Sequence, residues 1–502
     1  MNERIDHLYL GRARVGALSR SRMVVLFAVT GGAIALMAGQ ASAQLDAELL
    51  WDTTEGFPQV AAGIGDVNGD GVPDIASGFP DFRPVPGQAP TGRITVHSGV
   101  DGGVLFQRDG SSNSMFGSAV AGVGDVNSDG VPDFAVGSST GDPAQFNGQI
   151  DVLSGTDGSV IHSIPGTDFA STLGLAMAAL DDVDGDGVPD FAAGEPGFTG
   201  FTDSGFVRVF SGASGAELYR ISGPAGDFGV TLANAGDVNA DGVNDIVVGK
   251  NPNGVGAENK IEVFSGTDGA AIGQATGVFS FGSSVAGIGD VTGDGRGEIL
   301  VGIPIPPADP QGFTIGRVQV ISFPSDGTPT IVHEIIGDTP LVEPGEGPTR
   351  DDFGDSVAGI GDLDGDSVPD FIVGAPTDDA VIFEDNNGSV SGFSGADGSR
   401  LFFVLGQVRQ WNIGGALALA GDLNGDGVQE FVNASRSRLT AYGVTAPCPA
   451  DIDGDGDADV EDFFEYLDLF AAGDSVADVT GDGILDADDF FGFLSLFTDG
   501  CP

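Results

Sequence analysis

The chain has 502 residues, 74 of them acidic and 19 basic, for a net charge of −55. A field of that sign repels phosphate backbones and anionic lipid surfaces, which argues against nucleic acid as a partner and for divalent cations. Glycine (84) and proline (27) make up 22% of the residues, yet 41% are hydrophobic and 34 are Phe, enough for a sizeable core. Two Cys and four His are too few for classical zinc sites, CxxC redox motifs or iron–sulfur clusters.

At the start of the chain, Arg4, Arg12, Arg14, Arg20 and Arg22 precede an apolar run from Met23 to about Gly39, followed by Ala41, Ser42 and Ala43. A basic segment, an apolar segment and small residues at a cleavage position predict a secretory signal over residues 1–43. The competing reading is an uncleaved anchor, because the run approaches membrane-spanning length. Thr30, Gly31 and Gly32 interrupt the run and favour cleavage, which leaves 14 basic and 72 acidic residues, a charge of −58. No later stretch is long and apolar enough to span a bilayer. The mature chain is therefore expected to be exported, with no transmembrane segment.

Residues 44–445 repeat one nine-residue pattern seven times, starting at Asp66, Asp125, Asp182, Asp237, Asp290, Asp362 and Asp422, at spacings of 59, 57, 55, 53, 72 and 60 residues. Self-similarity at this period indicates a propeller, a solenoid or an array. In each unit an apolar segment leads into the acidic loop and a short strand follows. After a loop of variable length comes an alternating strand, as in Arg93–His97, Gln149–Leu153, Phe206–Phe210 and Lys260–Phe264. A Ser-Gly-x-x-Gly turn then leads to a last strand. Period-2 runs of four to six residues between Gly/Asp turns are strands. Four antiparallel strands in each of seven units predict an all-β fold, a seven-bladed β-propeller. The seventh unit stops after Tyr442 without a last strand, while Leu45–Trp51 resembles one, so the N-terminal strand is expected to complete the seventh blade and remove an open edge. An open solenoid with separate caps is the alternative.

In each nine-residue loop, oxygen-bearing residues at positions 1, 3, 5 and 9 place hard ligands on one side of a tight turn, with the backbone carbonyl of position 7 able to join them. That set suits Ca2+, which takes six to eight oxygens in flexible geometry. The predicted ligands of the first four loops are Asp66, Asn68, Asp70 and Asp74; Asp125, Asn127, Asp129 and Asp133; Asp182, Asp184, Asp186 and Asp190; and Asp237, Asn239, Asp241 and Asp245. Those of the last three are Asp290, Thr292, Asp294 and Glu298; Asp362, Asp364, Asp366 and Asp370; and Asp422, Asn424, Asp426 and Glu430. The competing reading is Asx-turns without metal; seven copies in phase weigh against it. Carboxylates this close repel one another without a cation, so folding and Ca2+ binding should be coupled. Thr292 makes the fifth site the expected weakest.

On these residues the chain resembles the FG-GAP repeats of integrin α-subunit N-terminal propellers: Phe116-Gly117, Phe228-Gly229, Phe281-Gly282 and Phe353-Gly354 match the first element, and Gly374-Ala375-Pro376 the second. Phe57-Pro58, Leu173-Gly174 and Ile413-Gly414 depart from the first, as Gly137 to Ser139 and Gly249 to Asn251 do from the second. The resemblance covers about residues 45–445. It implies Ca2+ loops on one face and a partner surface on the other, built here from variable loops that include 79–92 and 303–316. No Arg-Gly-Asp occurs, and no integrin stalk follows.

Residues 446–502 read as a small α-helical Ca2+-binding module. Asp451, Asp453, Asp455, Gly456, Asp459 and Asp462 fit positions 1, 3, 5, 6, 9 and 12 of an EF-hand-type loop, and Asp478, Thr480, Asp482, Gly483, Asp486 and Asp489 repeat it 27 residues later. Each runs into a stretch of helical apolar spacing, Phe463–Phe470 and Phe490–Phe497. Paired loop-then-helix units of this kind resemble dockerin modules, which implies a cohesin-like partner; a Ca2+-stabilised cap is the alternative. Cys448 and Cys501 bracket the module, and an exported chain can keep them as a disulfide. Closing that loop contributes about 4 kcal/mol in the chain-entropy model.

His97, His162 and His333 fall in strands, with no nucleophile-elbow motif beside them, and read as packed or surface histidines. No catalytic residue is singled out. The functional expectation is a secreted Ca2+-binding protein of extracellular adhesion or interaction, with a protein or glycan ligand. The alternative is a secreted polysaccharide-active lyase or hydrolase, which convergent acids, Arg and aromatic rings at the channel mouth would favour.

Overall fold

The structure is a computed structural model. It describes residues 45–499 apart from 54–57, 141–146, 168–171, 198–203, 226–227, 251–258, 279, 306–314, 326, 338–350, 378–386, 407–411, 436–437, 446–459, 473–476, 478, 480–484 and 486. The leader 1–43, Cys448 and Cys501 lie outside the described residues.

Seven four-stranded antiparallel sheets account for the strands. Blade 1 is Val60–Gly65, Asp74–Phe79, Arg93–His97 and Val104–Asp109. Blade 2 is Phe116–Gly124, Asp133–Ser138, Gln149–Leu153 and Val160–Pro165; blade 3 is Met177–Ala179, Phe191–Glu195, Ser204–Phe210 and Glu217–Ala225. Blade 4 is Thr231–Gly236, Asp245–Lys250, Lys260–Phe264 and Ala271–Thr276; blade 5 is Val285–Gly289, Glu298–Ile303, Arg317–Ser322 and Thr330–Ile336. Blade 6 is Ser356–Gly361, Asp370–Ala375, Ser389–Phe393 and Arg400–Leu405. Blade 7 is Ala416–Gly421, Glu430–Ala434 and Leu439–Thr445, and its outermost strand is Asp46–Thr53 from the start of the chain, with Asp46 opposite Thr445 and Trp51 opposite Ala441. Each first strand lies against the first strand of the next blade, and the seventh against the first, so the seven blades form a closed ring.

Burial follows position in the blade. Second strands such as Asp74–Phe79 and Asp370–Ala375 are buried throughout, third strands range from partly alternating, as in Gln149–Leu153, to fully buried, as in Ser389–Phe393, and fourth strands such as Val104–Asp109 are the more exposed. The core is divided among blade interfaces: Ile64, Ile94 and Val96 of blade 1, for example, pack on Phe116, Phe134 and Val136 of blade 2. The Phe-Gly and Gly-Ala-Pro elements meet across these interfaces. A methyl group built on Gly78 would stand 2.2 Å from the Gly117 carbonyl oxygen of the next blade, and one on Gly137 would stand 1.9 Å from that of Gly174. Backbone there touches backbone, and a side chain has no room. Phe116, Phe228 and Phe281 fix the contact by burying beside it.

In the C-terminal unit, helices α1 (Val460–Ala472) and α2 (Ala487–Asp499) share a core of Tyr466, Ala477 and Phe493, with Phe463, Phe470, Phe490 and Phe497 around it. The Tyr466 ring stacks on Phe493 at 3.9 Å and 3°. Phe464 and Phe491, at matching places in the two helices, are exposed. Among the described residues no helix is long and apolar enough to cross a membrane.

Candidate metal sites and the opposite face

Each acidic loop joins the first strand of a blade to the second. In six of the seven blades the first strand ends in a register shift one residue before a glycine, Gly65, Gly124, Gly236, Gly289, Gly361 or Gly421, all at positive φ. This bulge turns the chain out of the ladder and into the loop. Within the loop, position 1 accepts backbone N–H groups from the turn: Asp66 takes those of Gly69 (2.7 Å), Asp70 (3.2 Å) and Gly71 (2.8 Å). Asn68 accepts from Asp70 N and Asp70 from Val72 N. The bonds from the sixth N–H to the first acid and from the seventh N–H to the fifth recur at Asp125 and Asp129, Asp182 and Asp186, Asp237 and Asp241, Asp290 and Asp294, Asp362 and Asp366, and Asp422 and Asp426. Ser367, where six loops have Gly at position 6, takes the same left-handed conformation at φ 69°.

The acid at position 9 is different. Asp74, Asp133, Asp190, Asp245, Glu298, Asp370 and Glu430 are all fully buried. One oxygen of Asp74 accepts the N–H groups of Val67 (2.9 Å) and Asn68 (3.2 Å), and the other accepts that of Gly99 (3.1 Å) in the Ser-Gly turn between strands three and four. Asp133, Asp190, Asp245 and Asp370 hold Gly155, Gly212, Gly266 and Gly395 in the same way. In these five blades the ninth acid therefore ties two separate turns together. That second role was missed in the sequence; the recurrence of a Ser-Gly turn 21 to 25 residues after the acid in these five blades was the signal for it.

Three loops bring carboxylate oxygens within 4.8 Å of one another: Asp182, Asp184 and Asp190; Asp290, Asp294 and Glu298; and Asp362, Asp364 and Asp370. The fifth loop, expected to be the weakest, is among them. Glu298 is one methylene longer than Asp, and Thr292 donates its hydroxyl to it at 3.2 Å. Burial pushes the ninth-position acids up, to about 6 for Asp245 and Asp370 and about 7 for Glu430, with neighbouring carboxylates adding to the effect and backbone N–H groups opposing it. Two predicted ligand atoms, Glu430 Oε1 and Asn239 Oδ1, are buried with no hydrogen-bond partner. Such orphaned oxygens beside carboxylates fit a hard cation. In the C-terminal unit Asp462 and Asp489 are buried in the first turns of α1 and α2. Asp451, Asp453, Asp455, Asp459, Asp478, Thr480, Asp482 and Asp486 lie outside the described residues.

Chain order places all seven acid loops and the Ser-Gly turns at one end of the blades. At the other end a cleft of about 570 Å³ opens among blades 6, 7 and 1, lined by residues that include Pro58, Asp81, Asp352, Asp355, Thr377 and Ala434. It lies at the seam, where Pro58 and Ala434 replace the paired glycines of the other interfaces. Its described lining carries three carboxylates and neither Arg nor an aromatic ring.

Among the described residues the three histidines make structural contacts. His97 is fully buried, with Nε2 2.9 Å from Ser77 Oγ and Nδ1 3.1 Å from the Gly102 carbonyl, a pair sealed from solvent. His162 and His333, at equivalent places in blades 2 and 5, reach the carbonyls of Gly212 (3.1 Å) and Gly395 (2.8 Å) in the following blades.

Comparison with known proteins gives the class. The FG-GAP repeat model matches residues 59–97, 116–153 and 173–210, so the chain carries FG-GAP repeats in a seven-bladed propeller. It is similar to integrin alpha-5 of Xenopus laevis (30% identical, over 38% of this chain and 20% of that protein) and integrin alpha-V of Gallus gallus (28%, 42% and 21%). It is also similar to integrin alpha-PS2 of Drosophila melanogaster (32%, 26% and 11%). The chain thus spans about a fifth or less of the length of these relatives.

Proposed function

We propose that the protein is a secreted, Ca2+-binding β-propeller of extracellular adhesion or interaction, with residues 446–502 as a docking module. The observation that carries this reading is the convergence of three carboxylates in each of loops 3, 5 and 6, one face of a ring whose loops all share one layout. Oxygen-only donor sets of this kind favour Ca2+ over softer metals. Similarity to integrin α chains supports adhesion or protein interaction as the role. The partner, a protein or glycan, sits on the face opposite the acid loops. There Asp81, Asp352 and Asp355 suit a ligand that presents cationic groups. The exposed Phe464 and Phe491 are candidate contacts for a cohesin-like partner.

Equilibrium dialysis with elemental analysis, and thermal melts with and without chelator, test the metal reading. Several bound Ca2+ ions per chain and a large fall in melting temperature on chelation are expected. A chain without bound ions and with an unchanged melt would refute it. Pull-downs and glycan arrays with the Ca2+-loaded protein then identify the ligand, whose binding should weaken in Asp81→Asn.

A further inference from the structure

The ninth-position acid does more than close its own loop. Gly99 donates its backbone N–H to Asp74 Oδ1 at 3.1 Å, while its carbonyl accepts the indole N–H of Trp51 at 2.7 Å. Asp74 belongs to blade 1, and Trp51 to the N-terminal strand that completes blade 7. One glycine residue therefore joins an acid loop to the neighbouring blade. The device recurs: Gly212 links Asp190 to His162, Gly395 links Asp370 to His333, and Gly266 links Asp245 to the Tyr219 hydroxyl. In every case the ring comes from the fourth strand of the preceding blade.

The seam is packed tightly around this link. A methyl group on Gly99 would lie 1.9 Å from the Pro73 carbonyl oxygen, and one on Gly102 would lie 2.6 Å from the Trp51 ring, so the turn is fitted to both the loop and the indole. Trp51 is 8% exposed. Leu423, which follows the first acid of loop 7, packs in the same cluster as Trp51 and Ile75.

We infer that cation occupancy of the first loop latches the N-terminal strand into the ring through Asp74, the backbone of Gly99 and Trp51. The inference rests on the metal reading given above. Without a cation, Asp66, Asp70 and Asp74 repel one another, the loop opens, and the Ser-Gly turn that Asp74 holds moves away from the indole. The strand Asp46–Thr53 pairs with Leu439–Thr445 and ion-pairs to Arg438 through Asp52, and Trp51 ties it to blade 1, so loss of that tie is read in the exchange of its amide groups.

The test is hydrogen exchange of the segment 46–53 in the full chain, alongside an ion count. Asp66→Asn with Asp70→Asn removes two charges from loop 1 but keeps side-chain oxygens that can accept the turn N–H groups. Asp182→Asn with Asp186→Asn does the same in loop 3, away from the seam. At saturating Ca2+ both double variants should lose one ion, but only the loop 1 variant should lose protection of 46–53. Trp51→Phe keeps the ring and removes the donor; it should keep the full ion count while protection of 46–53 no longer responds to chelator. Unchanged protection in the loop 1 variant, with one ion missing, would overturn the latch and leave the metal reading standing. A wild-type chain that binds no ion would overturn both.

Discussion

Replacing Gly194 with Ala tests why the repeat needs glycine at the blade interface. Gly194 sits in a fully buried strand of blade 3, at a backbone conformation open to any residue, so its substitution carries no φ penalty of its own. The added methyl would lie 1.8 Å from the Gly229 carbonyl oxygen of blade 4, whereas ordinary contact begins at 3.4 Å. Blades 3 and 4 would have to separate by about 1.6 Å, and Phe228, fully buried beside Gly229, resists that movement. Overpacking of this kind costs roughly 1–3 kcal/mol, and a backbone-on-backbone clash falls at the upper end, about 3 kcal/mol or more. Gly87→Ala is the control. It stands at φ 86° with nothing within 4 Å, so it bears only the left-handed backbone cost of about 1–2 kcal/mol. Denaturant midpoints of the Ca2+-loaded proteins, compared at equal slope, measure the difference. If Gly194→Ala proves no more costly than Gly87→Ala, the interface is not the reason for the glycine.

Arg208 is nearly buried between Glu195 and Glu217, at 3.4 and 2.7 Å. Arg208→Ala should therefore destabilise by about 3–5 kcal/mol by leaving Glu195 charged in the interior, while Arg208→Met with Glu195→Ala, the residue found at the matching place in blade 6, should recover most of it; urea unfolding measures both. The ninth-position acids have folded pKa values raised above their unfolded ones, so in metal-free protein their contribution is full below about pH 4 and is lost as pH rises through about 6 for Asp245 and Asp370 and about 7 for Glu430. Metal-free protein should accordingly melt higher at pH 5 than at pH 8, and Ca2+ should reverse that order; melts after exhaustive chelation and dialysis check it. Tyr466→Ala removes the ring stacked on Phe493 and should cost about 3–5 kcal/mol within the C-terminal unit, seen as loss of helical circular dichroism at lower temperature.

Periodicity alone determined most of the architecture. Seven acid loops in phase, each followed by a buried strand and a further strand, five of them with a Ser-Gly turn after it, admit few arrangements of hydrogen-bonded strands, and Leu45–Trp51 supplied the strand the last repeat lacked. Loop chemistry was equally legible, because which oxygens share a turn depends only on spacing along the chain. What only the tertiary structure decided lies between blades. The meeting of Gly78 with Gly117, the burial of the ninth acids against turns some 20 residues away, and the reach of Trp51, His162 and His333 into the next blade all join residues whose separation in sequence says nothing of their distance in space. The cleft at the seam belongs with these, since it exists only once the ring has closed and set Pro58 beside Ala434.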